Sequence, residues 1–170
     1  MIKARSLKAL LPFLCLTAIV GKATALDLDV GLRASIYDEN YKLGVGGELG
    51  AIVPATANMY LGLHLNYTNF RKKTETIPDA NEFGGYVTAY FHPTIDQGFS
   101  LRIGPHIGYS ALGSSDKRES YLDLGGDVMA VFKATNTLNF YAAFIPAFFI
   151  GPDPQSLIRF GFGLHYGMGK

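Results

Sequence analysis

The chain has 170 residues, enough for one domain; 48% are hydrophobic and only 17% charged, a low share for an exported soluble protein. Setting aside the first 25 residues, which carry four basic groups and no acids, leaves 11 Lys and Arg of 15 against 14 Asp and Glu. That balance of −3 gives no support to nucleic-acid binding, and the single cysteine, Cys15, lies in the set-aside segment, which leaves the remainder without disulfide or thiol chemistry.

Residues 1–25 have the anatomy of a secretory signal peptide. Lys3, Arg5 and Lys8 make a basic start, an apolar run follows from Ala9 to Val20, and Ala23-Thr24-Ala25 is a small-x-small site, so cleavage is expected before Leu26. The apolar run is about 12 residues, short of the roughly 20 that span a bilayer as a helix. No later segment is apolar enough to span as a helix either. If the rest of the chain enters a membrane it does so as a closed β-barrel, the only other way to satisfy backbone groups in hydrocarbon.

From residue 26 onward, eight segments alternate with period two, at approximately 26–37, 41–53, 57–69, 82–92, 99–111, 120–132, 136–149 and 156–169. The first puts Leu28, Val30, Leu32, Ala34 and Ile36 on one face, and Asp27, Asp29, Arg33 and Ser35 on the other. In the second and third, Val45, Leu49, Leu63 and Leu65 oppose Glu48, His64 and Asn66. The fourth and fifth set Phe83, Val87, Ile103 and Ile107 against Tyr86, Thr88, Tyr90, Arg102 and His106. In the sixth and seventh, Leu122, Val128, Phe140 and Phe144 oppose Asp123, Asp127, Asn139 and Tyr141. The last, RFGFGLHYGMGK, alternates Phe160, Phe162, Leu164, Tyr166 and Met168 with Arg159, His165 and four glycines. No helical pattern interrupts the series, so the strands are expected to pair as antiparallel neighbours. Pro105 and Pro146 each remove a ladder donor, which predicts a bulge or an early strand end at both.

Two barrels could carry these faces. A soluble one points the apolar face inward, but eight strands leave an interior only just wide enough for its lining side chains. So many Phe, Leu, Ile and Tyr side chains fit poorly inside and well against lipid. The opposite face is glycine-rich and sparsely charged, which suits a crowded lumen better than a solvated surface. The fold class is therefore all-β, a closed antiparallel eight-stranded transmembrane β-barrel over residues 26–170. Outward aromatics near the segment ends agree: Tyr67, Phe83, Tyr109 and Phe148 towards one rim, and Phe91, Phe132 and Tyr166 towards the other. An even strand number and an export signal put both termini on the periplasmic side. The outer loops are then 38–40, 70–81, 112–119 and 150–155, and they include the two longest connections.

In strand count, alternation, signal peptide and loop asymmetry, residues 26–170 resemble the small eight-stranded bacterial outer-membrane barrels, such as the OmpA transmembrane domain and OmpX. The resemblance implies a monomer in the bacterial outer membrane, reached after signal-peptide cleavage, surrounded by outer-membrane lipids and lipopolysaccharide. It carries no sequence motif, so it speaks to architecture more than to function.

Within the barrel the residues expected to face the lumen and form a charged and polar network are Asp29, Arg33, Glu48, His64, Arg102, His106, Asp123, Asp127, Arg159 and His165. A buried charge left alone is costly, which favours pairing. Aligning Ser110 with Tyr121 sets Gly108 opposite Asp123, His106 opposite Gly125 and Gly104 opposite Asp127. That register predicts an Arg102–Asp127 ion pair with His106 bonded to Asp123 or Asp127, and Glu48–Arg33 and Asp29–His165 as a second cluster at the closing seam. Such a network would plug the lumen. Envelope lipid-modifying barrels place His and Ser on the lipid face or in the outer loops; the outward face here offers neither and the outer loops no His, so no catalytic constellation is read. No metal spacing such as H-E-x-x-H and no nucleotide-binding glycine spacing occurs, and no cofactor is expected. Arg71-Lys72-Lys73 opens the longest outer loop and is a candidate contact for lipopolysaccharide phosphates, countered by Glu75, Asp79 and Glu82. The reading is a structural or surface-interaction barrel meeting host or envelope partners through loops 70–81 and 112–119. A small pore is the alternative, and an envelope lipid-modifying enzyme a minor one.

Overall fold

The computed structural model describes residues 25–168 apart from 38–39, 77, 94–97 and 115–116. The signal-peptide expectation for residues 1–25 therefore falls, Ala25 excepted, outside the described residues. The described residues form eight strands: β1 Leu26–Ile36, β2 Gly44–Thr56, β3 Met59–Phe70, β4 Ala80–Phe91, β5 Phe99–Gly113, β6 Arg118–Lys133, β7 Leu138–Ile150 and β8 Gln155–Met168. They form a closed antiparallel barrel in sequence order, with β8 returning to β1 through pairs that run from Leu26–Met168 to Ile36–Ile158. The fold is a transmembrane β-barrel, with its apolar face outward. Val30, Leu32, Phe83, Ile107, Tyr109 and Phe162 are all more than half exposed, while Arg33, Glu48, Asp123, Asp127 and Arg159 are at most 2% exposed. Val53, outward by alternation, is the exception at 2%, and nothing among the described residues explains it.

The β5–β6 register is the expected one: Ser110–Tyr121, Gly108–Asp123, His106–Gly125 and Gly104–Asp127 are partners. Pro105 and Pro146, by contrast, neither bulge nor end their strands. A strand residue directs its N–H to only one neighbour. Pro105 keeps its partner Gly126 on β6, and the ladder to β4 skips from Thr88–His106 to Phe91–Ile103 without changing register. Pro146 likewise keeps Ile158 on β8, while the ladder to β6 skips from Gly125–Ala147 to Val128–Phe144. Both rings lie on the exposed face. A register shift lies between Pro54 and Thr56, at the end of the barrel that carries the chain termini.

Strands overrun the expected loops at the opposite end. Phe70, Ala80 and Asn81 of the expected loop 70–81, and Leu112, Gly113, Arg118 and Glu119 of the expected loop 112–119, belong to strands. The reason is packing: Phe70, Ala80 and Leu112 point inward and join Tyr121, Ala147, Phe149 and Leu157 in an apolar cluster, against which Tyr37 and Tyr41 pack. A second inward cluster, at the terminal end, holds Ile52, Tyr90, Met129, Val131, Tyr141, Ala143 and Ile145, with Tyr60 against it. The charged residues of the lumen are set among these clusters: Asp27 is the register partner of Ile52, Arg102 of Met129, Arg159 of Ile145, Glu82 of Leu112 and Asp123 of Phe149.

Candidate functional site

All ten residues expected in the lumen are there, each at most 4% exposed. They form three linked groups. At the terminal end, His165 of β8 lies between two carboxylates of β1: Nδ1 is 2.5 Å from Asp29 Oδ1 and Nε2 is 3.2 Å from Asp27 Oδ2. Arg102 of β5 reaches this group from across the barrel. Its Nη2 is 3.2 Å from His165 Nε2 and 3.5 Å from Asp27, its Nε donates to His92 Nδ1 at 3.2 Å, and its guanidinium lies 5.1 Å from the Tyr60 ring centroid. Partial burial and the Arg102 charge hold the His92 imidazole below its ordinary pKa, consistent with Nδ1 acting as the acceptor.

The middle group centres on Tyr86 of β4. The His64 ring stacks on one side of it at 4.9 Å, and the His106 ring lies tilted at 4.8 Å. The Tyr86 hydroxyl donates to Glu48 Oε2 at 2.9 Å, and the same oxygen accepts a hydrogen bond from Arg33 Nη2. His106 has a carboxylate at each ring nitrogen: Asp127 Oδ1 is 2.7 Å from Nδ1, and Asp123 Oδ1 is 3.1 Å from Nε2. At the loop end, Arg159 Nη2 donates to Glu82 Oε1 at 2.6 Å and to Asp123 Oδ2 at 2.7 Å, and the guanidinium lies 5.1 Å from the Phe149 ring centroid.

The Glu48–Arg33 and Asp29–His165 contacts are those expected, and His106 bonds both aspartates. The expected Arg102–Asp127 pair is not made. Opposite Asp127 stands Gly104, whose missing side chain leaves the position open to β4; a Cβ there would meet Ala89 O at 1.9 Å. Tyr90 and Thr88 of β4 enter this space and each donates to Asp127 Oδ2 at 2.9 Å. With His106 on the other oxygen, Asp127 is satisfied, and Arg102 turns towards the terminal end, where Asp27 needs a partner.

Sequence reasoning missed Glu82, counted with the loop charges. It is fully buried in β4 and accepts from Asn66 at 2.9 Å as well as from Arg159. Its parity with Tyr86, Thr88 and Tyr90 was the available signal. The expectation that no Ser faces outward also needs correcting: Ser120 and Ser156 lie on the exposed face at the loop end of β6 and β8. Several buried polar atoms, among them Nε and Nη1 of Arg33 and Arg159, Ser35 Oγ and Thr68 Oγ1, have no protein partner. Groups of this kind in a polar interior are satisfied by internal water. No set of His, Cys, Asp or Glu among the described residues could hold a metal ion.

Of the candidate surface residues, Arg71 and Lys73 are exposed and Lys72 is partly buried. Lys72 is engaged within its own loop: its N–H donates to Asp79 at 2.9 Å and its Nζ lies 3.3 Å from Glu75. The loop is tied to the preceding one by Lys42 N–H to Arg71 O at 2.9 Å, Lys73 N–H to Asn40 O at 3.0 Å and a Tyr41–Lys72 bridge. That pairing places exposed Lys42 beside Arg71, which sequence spacing alone did not suggest.

No protein-family model and no curated protein matches the chain. Among solved structures, it is similar to Ail, the attachment invasion locus protein of Yersinia pestis, at 17% identity and a TM-score of 0.58, over 86% of this chain and 99% of that one. It is similar to Neisserial surface protein A at 10% identity and a TM-score of 0.63, over 86% and 96%. A major outer membrane protein of Thermus thermophilus aligns at 9% identity and a TM-score of 0.63, over 84% and 99%. Strand count, closure, outward apolar face and these likenesses agree that the chain has the fold of the small eight-stranded outer-membrane β-barrels.

Proposed function

We propose that the protein is a non-enzymatic barrel of the bacterial outer membrane, exported by its signal peptide, with a lumen closed by its own side chains and a structural or surface-interaction role carried by its outer loops. The observation that carries this reading is that side chains meet across the lumen from opposite walls. Arg159 of β8 holds Glu82 of β4, Arg33 of β1 donates to Tyr86 of β4 at 3.0 Å, and Arg102 of β5 meets His165 of β8. The two apolar clusters add to the closure at both ends. What remains open to partners is the loop end.

There the paired loops gather Lys42, Arg71 and Lys73, a basic edge suited to the phosphates of lipopolysaccharide, with Lys72 held back by Glu75 and Asp79. Ail has been crystallised in complex with the heparin analogue sucrose octasulfate, so a protein of this fold takes a polyanion. The test compares the protein with a Lys42→Gln/Arg71→Gln/Lys73→Gln variant for retention of lipopolysaccharide in mixed vesicles. Loss of retention, with no change in phosphatidylcholine vesicles, is the expected result. Equal retention by both proteins would remove the basic edge from the reading.

A further inference from the structure

The charges of the lumen do not balance without its histidines. Six carboxylates line it: Asp27, Asp29, Glu48, Glu82, Asp123 and Asp127, all buried but Asp27, whose side chain is 20% exposed. Three arginines face them, Arg33, Arg102 and Arg159. The shortfall is three positive charges, and the histidines buried among these groups are three: His64, His106 and His165.

Their surroundings fit that role. His106 of β5 faces Asp123 and Asp127 of β6 at its two nitrogens, the Tyr86 ring of β4, and, through Asp123, Arg159 of β8. His165 of β8 faces Asp27 and Asp29 of β1 at its two nitrogens and Arg102 of β5, beyond which lies His92; Tyr141 of β7 packs beside the neighbouring Gly163. His64 of β3 lies 3.6 Å from Glu48 of β2 through Nδ1 and 3.2 Å from Tyr90 OH through Nε2, stacks on Tyr86, and has Asp29 of β1 across Gly50. A neutral imidazole carries one N–H donor and one acceptor, so it cannot donate to two carboxylates; an imidazolium can. His106 and His165 each present that two-carboxylate geometry.

We propose that the lumen is a proton-held gate: protonated His64, His106 and His165 close it, and their loss of protons to water opens a hydrated, cation-selective path along the six carboxylates. This rests on the closed-lumen reading above. With His106 neutral, the carboxylates of Asp123 and Asp127 repel across it, and with His165 neutral so do those of Asp27 and Asp29. The strands themselves stay joined, because their ladder does not involve these side chains. The opening is therefore a rearrangement of lumen side chains and not an unfolding.

The experiment is planar-bilayer conductance of the purified protein at about pH 5 and about pH 9, a window that brackets imidazole titration. It is run alongside His106→Gln and His165→Gln, which stay neutral throughout. The wild type is expected to be silent at the lower pH and to conduct cations at the higher. Each variant is expected to conduct at the lower pH at least about tenfold above wild type, since losing one member of a buried charge cluster shifts a two-state equilibrium by that much or more. Wild type silent at both values, or heat-modifiable, folded variants as silent as wild type at the lower pH, overturns the gate and leaves the closed lumen standing. Wild type conducting equally at both values overturns the closed lumen itself. The ring nitrogens of the wild type, read by nitrogen-15 NMR at about pH 5, decide independently of any variant. Both protonated in His106 and His165 supports the gate, and a singly protonated ring in either overturns it.

Discussion

Replacing Arg159 by Met is the most direct probe of what the lumen charges contribute. The side chain is fully buried and one nitrogen serves two carboxylates, Glu82 at 2.6 Å and Asp123 at 2.7 Å. Methionine keeps most of the methylene volume against Phe149, so the cavity term is small and the electrostatic term dominates. Asp123 retains His106, and Ser110 at 3.3 Å; Glu82 retains Asn66 and, at 3.4 Å, Ser110, but no cation. Removing one partner of a buried ion pair costs about 3–5 kcal/mol, because the other charge is stranded. The expected loss lies in that range. Adding Glu82→Gln neutralises the stranded carboxylate while its amide oxygen still accepts from Asn66, so the double variant should be more stable than Arg159→Met alone. A coupling of about 1–3 kcal/mol between the two sites is expected. The assay is the urea midpoint for conversion of the folded to the unfolded band on a heat-modifiable gel, in vesicles. If Arg159→Met falls within about 0.5 kcal/mol of wild type, or if the two losses simply add, the Arg159 contacts do not hold the barrel together.

Two further expectations concern the wall and the terminal end. Ile107 is 57% exposed near the middle of β5, so Ile107→Arg should destabilise the barrel by about 2–4 kcal/mol in vesicles, and an unchanged urea midpoint would mean that this face does not meet lipid. His92 has its pKa lowered in the folded protein, by burial first and by Arg102 second. The folded state therefore binds fewer protons there than the unfolded state, and the contribution of His92 is complete above the unfolded imidazole value of about 6.5 and lost as pH falls below it. His92→Gln should flatten the stability-versus-pH curve on that acid side, and an identical curve would remove His92 from the balance.

The fold could be read from the chain because alternation is a local signal. A period of two, repeated eight times, assigns every side chain to a face without any knowledge of neighbours, and the single-residue pairing guess at Ser110–Tyr121 placed β5 against β6 correctly. What could not be read was contact around the circumference. Arg102 and Asp127 are diagonal neighbours on paired strands, yet Asp127 is taken by Thr88 and Tyr90 from the next strand over, through the opening at Gly104. Glu82 looked like a loop charge because its partner, Arg159, is four strands away, on the opposite wall. The prolines misled for a related reason. The cost of a missing N–H depends on which neighbour that N–H would have served, and the sequence does not say which side of Pro105 or Pro146 is which.

The inner charges also bear on why the barrel adopts one register. Buried ion pairs add little net stability over apolar packing, so their presence needs another account. A strand whose two faces were both apolar could slip by one residue at small cost, since either face would be acceptable to lipid. Here a one-residue slip of β8 would turn Arg159 and His165 outward and bring Phe160, Phe162 and Leu164 into a lumen that is already crowded at Gly31 of β1 and Gly125 of β6. One Arg on the lipid face costs about 2–4 kcal/mol at the midplane and less towards the rim. The slip would also take Arg159 from Glu82 and Asp123, and His165 from Asp27 and Asp29. The penalty comes from both faces at once, and it grows with each strand that carries a charge. Charges on β1, β2, β4, β5, β6 and β8 therefore act together as a register lock, with the glycines opposite them setting how closely the walls can approach.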